Sequence, residues 1–289
     1  MKRDEFKQYY LNDSKKKIER KTFPDELKII AEGDSWFSYP LKIDIIDHLR
    51  SMGYAVKELA KHGDTLENMI YGSEVERIRN NTIKNKGPRS LQKTLNAVRK
   101  YKPKIFLFSG GGNDIVGSEI LNYLNHRTAN KREPINKIVF EQKLRSMQAS
   151  LEYYITAISK THDHTQIIMD GYDYAQPSGT PYKLGGILKL SGPWILPSMG
   201  KKNITQLKAQ KAIIKYLVDE FNSMLKKLDR KYSNFHHLDI RGMFPHNSSW
   251  HNEIHLNNKD FKIVATEYHK KISQLLGYNA LVKHAKHIA

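Results

Sequence analysis

The feature that most constrains this chain is a repeated unit: a short apolar run, a turn built on small polar residues, then a helical pattern. Five such runs occur, at residues 27–31, 54–59, 104–109 (KIFLFS), 166–170 (QIIMD) and 234–240. Apolar runs of this length bounded by turn residues read as strands buried on both faces. Between them apolar residues recur at helical spacing, as in Ile43, Ile46, Leu49 and Met52 ahead of Gly53, or Ile138, Phe140, Leu144, Met147, Leu151 and Ile155. Strands alternating with helices predict one doubly wound parallel sheet with helices on both faces and right-handed crossovers.

A length of 289 residues leans towards two domains. The strand–helix register nevertheless runs unbroken from residue 27 to the end, so a single domain is expected over 27–289. Residues 1–26 are charged and read as a helical or flexible arm. A polar loop is expected at 80–90, followed by a helix at about 90–101. Residues 172–203 hold five glycines and four prolines among Tyr172, Tyr174, Tyr182 and Trp194. So long an excursion in a compact domain reads as a lid-like insertion.

There are no cysteines, which excludes disulfides, thiolate nucleophiles and cysteine-ligated zinc. Neither a signal-peptide core nor a run of about 18 apolar residues is present, so a cytoplasmic protein without a membrane span is expected. The net charge of +18 suits a polyanionic partner. The lysines, however, are scattered (Lys15–Lys17, Lys201 and Lys202, Lys226 and Lys227), as on solvated helix faces. Nucleic acid is therefore not expected to be the primary partner.

Turns that follow parallel strands all emerge at one edge of the sheet, where open α/β folds place their chemistry. Four of these turns carry distinctive residues: Gly33-Asp34-Ser35, Gly63, Gly112-Asn113-Asp114, and His255 within Trp250-His251-Asn252-Glu253-Ile254-His255. Acyl transfer needs a nucleophile, a base and donors aimed at the developing oxyanion. Ser35 supplies the first and His255 the second, with the Ser35 and Gly63 backbone N–H groups and the Asn113 amide as the oxyanion hole.

Here the sequence resembles the SGNH hydrolases, also called GDSL-type esterases and lipases. Gly33-Asp34-Ser35 matches their first block with its nucleophilic serine, Gly63 their second, and Gly111-Gly112-Asn113-Asp114 their third. In the last block, Asp-x-x-His, His255 matches the base and Asn252 stands where the family has aspartate. The resemblance spans residues 29–276. It implies a three-layer α/β/α sandwich of flavodoxin-like type, with a five-stranded parallel sheet in the order 2-1-3-4-5, and no metal or organic cofactor.

Asparagine can accept the same hydrogen bond as aspartate but brings no charge, and in serine proteases that exchange costs about ten-thousand-fold in turnover. Three orienting groups for His255 stay open: Asn252, a backbone carbonyl, or Glu253. Adjacent positions tend to point apart, which counts against Glu253. His251 and His255 have the spacing of a metal pair but no HExxH context, and no metal site is expected. Trp36, Phe37, Tyr39 and the aromatics Tyr172 and Trp194 are candidates for an apolar substrate pocket. The expected function is a serine hydrolase cleaving an acyl ester of a lipid, sugar or small alcohol. The alternative is a non-catalytic binding module of the same fold that uses its basic surface for an anionic partner such as nucleic acid.

Overall fold

The computed structural model describes residues 29–72, 75–77, 83–85, 87–130, 133–184 and 188–277. The expected arm at 1–26 and the start of the first strand lie outside the described residues. Strand β1 (Ile29–Gly33) is buried at all five positions, as an unbroken apolar run predicts. Helix α1 (Ile45–Ser51) opens on Asp44, whose carboxylate accepts from the Ile46 and Asp47 N–H groups in a capping box. Then come β2 (Val56–Glu58) and the short α2 (Leu66–Ile70), capped by Thr65.

Strands β3 (Val75–Arg77) and β4 (Ile83–Asn85) pair antiparallel, and α3 (Gly87–Tyr101) begins directly after them. The stretch 80–90, expected as a loop, thus contains a strand and the first turn of a helix. Three-residue strands are too short to show a period of two, and Pro88 at a helix start costs no hydrogen bond.

The second half runs through β5 (Ile105–Ser109), the one-turn helix α4 (Gly112–Ile115), α5 (Lys137–Thr161) and β6 (Gln166–Asp170). Within 172–203 lie an antiparallel pair, β7 (Tyr182–Leu184) and β8 (Leu188–Ser191), and helix α6 (Ile195–Lys201). This segment therefore has regular structure of its own. Helix α7 (Leu207–Lys231), β9 (Phe235–Leu238) and α8 (Asn258–Leu275) complete the described chain.

The five strands foreseen from the sequence form one sheet, β2-β1-β5-β6-β9, every ladder parallel. Counted along the chain, that order is 2-1-3-4-5. Helices α1 and α8 pack together, while α3, α5 and α7 pack in sequence as a second set. The result is the expected α/β/α sandwich, with Ile30, Phe106, Leu107 and Ile168 wholly buried in its middle layer. Among the described residues no helix is long and apolar enough to cross a membrane.

Candidate active site

At the carboxyl end of β1 the chain turns sharply against β5. A Cβ at Gly33 would stand 2.5 Å from the Ser109 carbonyl oxygen, so only glycine permits this approach. Asp34 N–H donates to Ser109 O at 2.9 Å, and the Asp34 carboxylate accepts from Trp36 N–H at 2.9 Å and from the Tyr172 hydroxyl at 2.7 Å. Burial pushes the Asp34 carboxyl up to about 7, against those two hydrogen bonds. Asp34 thus braces the turn, and Ser35 is carried at its apex.

Ser35 Oγ lies 2.6 Å from His255 Nε2, across 220 residues of sequence. On the far side of the ring, His255 Nδ1 lies 3.0 Å from Asn252 Oδ1. That same oxygen accepts from the Ile254 and His255 backbone N–H groups at 3.0 and 2.9 Å. Backbone N–H groups only donate, so the Asn252 atom facing them must be the oxygen, and a flipped amide would set donor against donor. The amide nitrogen has its own acceptor, the Tyr39 hydroxyl at 3.1 Å, which lies 2.7 Å from His251 Nδ1. Nδ1 of His255 consequently carries the proton and Nε2 presents its lone pair to Ser35.

The His255 ring stacks on Tyr39, with centroids 4.3 Å apart, and Trp194 meets it edge-on at 6.0 Å. Burial, reinforced by His251, lowers the His255 pKa to about 3, so the imidazole is neutral at physiological pH. His251 and His255 are engaged by Tyr39, Asn252 and Ser35. Among the described residues no group of three or more acidic, histidine or cysteine side chains is placed to hold a metal ion.

Asn113 lies on the first turn after β5. Its amide nitrogen donates to Asp64 O at 2.8 Å, which leaves a second N–H, while Lys61 N–H donates to Gly33 O at 2.9 Å. These two bonds tie the 61–64 loop, with Gly63 at φ +74°, between the β1 and β5 turns. A Cβ at Gly63 would meet no protein atom, so this backbone is open to an approaching group.

No family model matches this sequence, and no curated protein does. Solved structures match in fold. One is a lipase from a goat rumen metagenome, with a TM-score of 0.52 and 13% identity over 88% of this chain and 99% of that one. Another is an extracellular lipase from Streptomyces rimosus, with a TM-score of 0.50 and 14% identity over 84% and 99% of the two chains. The chain shares the three-layer α/β/α fold of these structures, the architecture that the sequence resemblance implies.

On this scaffold the structure brings together Ser35, Asn252 and His255, with Asn113 beside them. Of the candidate pocket aromatics, Trp36 and Tyr172 line a cavity next to Ser35. Phe37 does not: it is fully buried in the core, packed on Tyr268 at 5.6 Å. Trp194 and Tyr39 lie against His255 instead of lining that cavity.

Glu253 also has a different task from the one considered for it. Its buried carboxylate accepts from the N–H groups of Gly179, Trp194, Ile195 and Leu196 at 2.5 to 3.0 Å. It thereby caps α6 and holds the 172–203 segment, pointing away from the imidazole. Sequence spacing signals neither this latch nor the part of Tyr39, because each depends on a long-range contact.

Proposed function

We propose that the protein is a serine hydrolase of carboxylic esters. The observation that carries this reading is the continuous Ser35–His255–Asn252 hydrogen-bond chain, with the tautomer of His255 set by the backbone donors on Asn252 Oδ1. Neutral His255 takes the proton of Ser35 as Oγ attacks the ester carbonyl carbon. A C–O bond forms and the carbonyl oxygen becomes an oxyanion, for which the Ser35 and Gly63 N–H groups and the free Asn113 amide N–H are the donors. The tetrahedral intermediate collapses by breaking the bond to the alcohol oxygen, which receives the proton from His255 Nε2. Water, deprotonated by the same nitrogen, then attacks the acyl-Ser35 ester and releases the acid.

Asn252 takes the orienting part that aspartate has in a charged triad. An amide supplies no countercharge, so the imidazolium formed during the reaction is stabilised by the hydrogen bond alone. What supports Asn252 in this part is that the usual hazard of the exchange, a rotated amide that traps the wrong tautomer, is opposed from both ends: two N–H donors face Oδ1 and an acceptor faces Nδ2. A site reduced to a binding module would have no need to hold that amide so firmly.

The direct test is a fluorophosphonate probe on the full-length protein. Labelling of Ser35, abolished in Ser35→Ala, is expected. A folded wild-type protein that is not labelled and hydrolyses none of a panel of short and long acyl esters would refute the proposal.

A further inference from the structure

We infer that this site selects acetyl and similarly short acyl esters, because the small, mostly apolar pocket beside Ser35 has room for little more than one methyl group. The inference rests on the ester-hydrolase reading above. The cavity measures about 20 Å³ and is reached by Ser35 and Asn113. A space of roughly 10–15 Å³ on this measure accommodates a single water-sized group. The walls, which include Trp36, Val116, Tyr172, Val218 and Trp250, are mostly apolar and suit a methyl carbon better than water or a charged oxygen.

The side of the ester that enters follows from the proton path. The departing alcohol oxygen must lie at His255 Nε2, and His255 does not line this cavity. Asn113, the proposed oxyanion donor, does. The group occupying the cavity is therefore the substituent on the carbonyl carbon, the acyl chain.

The walls are also fixed in place. Trp36 Nε1 donates to Ile254 O and Trp250 Nε1 to Phe244 O, both at 3.0 Å, and the Tyr172 hydroxyl donates to Asp34. Val218 is buried on α7, one turn before Asn222, whose amide donates to Gly171 O at 2.7 Å. Widening the pocket through these walls means breaking a buried hydrogen bond or shifting a long helix. In a packed apolar pocket each methylene alters selectivity by about 10- to 200-fold.

The experiment compares kcat/KM of the full-length protein for 4-nitrophenyl acetate, butyrate and octanoate, alongside fluorophosphonate labelling of Ser35. Acetate is expected to exceed butyrate by at least about a hundredfold, with octanoate lower still. Val218→Ala should raise the butyrate-to-acetate ratio about tenfold or more, and Val116→Ala is the second variant should the first fail to fold. A protein labelled at Ser35 with a flat or rising chain-length profile overturns the short-acyl inference alone. So does an unchanged ratio in both folded variants. Absence of both label and hydrolysis overturns the hydrolase reading as well.

Discussion

Ser35 and His255 meet in one hydrogen bond but are held by opposite means. Ser35 follows directly on β1, the strand flanked by β2 and β5, and its turn is bonded to the end of β5 and braced by Asp34. His255 sits in the irregular connection between β9 and α8 and depends on contacts to side chains: Asn252, Tyr39, and Trp36 donating to Ile254 O. The proposed nucleophile is placed by the sheet, whose failure is global unfolding. The proposed base is placed by a small polar network, which can be disturbed while the sheet stands.

The largest effect tests whether the two halves act together at all. Ser35→Ala should reduce ester turnover by about a million-fold, as loss of a triad serine does, with thermal stability little changed. A variant retaining more than about one thousandth of wild-type kcat/KM would break the pairing. Asn252→Ala removes the acceptor of Nδ1 and should cost about ten-thousand-fold in kcat, in line with other triads that lose tautomer control. If that loss is under tenfold, the network does not place the base.

The 172–203 segment sharpens the contrast through Glu253. Glu253→Ala takes the acceptor from four N–H donors, that of Ile195 in a buried pair and three in partly buried ones, a loss of about 1–3 kcal/mol for the buried donor and less for each of the others. Limited proteolysis should then cut near residues 179–196 before the sheet unfolds. Cleavage distributed over the whole chain would mean that the segment and the sheet fail as one unit.

The sheet half of this arrangement is legible in the sequence and the network half largely is not. Runs such as KIFLFS are strands because apolar, β-branched and aromatic residues on both faces fit only a buried parallel position, and the glycines between them mark the edge where chemistry collects. That logic locates Ser35, Asn113 and His255 at one sheet edge, whereas the strand order follows from the family resemblance. The network depends on which way adjacent side chains point. Asn252 and Glu253 are neighbours of similar shape, yet one turns to the imidazole and the other to α6, and only the fold decides this. Phe37 shows the same limit, since its place beside Ser35 in sequence puts it in the core in space.

A smaller effect is expected one step further from the reacting atoms. Tyr39→Phe keeps the ring that stacks on His255 but takes the acceptor from Asn252 Nδ2 and the partner from His251 Nδ1. The Asn252 amide stays oriented by two backbone donors, so kcat should fall by only about tenfold, with KM changing less, as fits the loss of one buried hydrogen-bond partner. A fall in stability with kcat intact would make Tyr39 a packing residue and no more.

Asn252→Asp gives the smallest change in rate and the most specific change in pH dependence. In the native protein burial and His251 hold His255 near 3, below the ordinary value of 6.5. The acid limb of kcat/KM is therefore expected well below the usual histidine range. Over the same window the unfolded chain binds a proton that the folded one refuses, so the contribution of His255 to stability, complete above about 6.5, is lost as pH falls towards 3. A carboxylate at 252 favours the imidazolium, so the limb should move up towards 6.5. Its charge, at a position 1% exposed, must be taken out of water, and this desolvation offsets much of what the countercharge contributes. Turnover at pH 8 should accordingly change by less than about tenfold. A pH–rate profile on 4-nitrophenyl acetate reads both quantities. An unmoved limb would show that Asn252 does not govern the imidazole. A gain of a thousandfold would show that the asparagine is a damaged triad, and not the member of a network built to hold it.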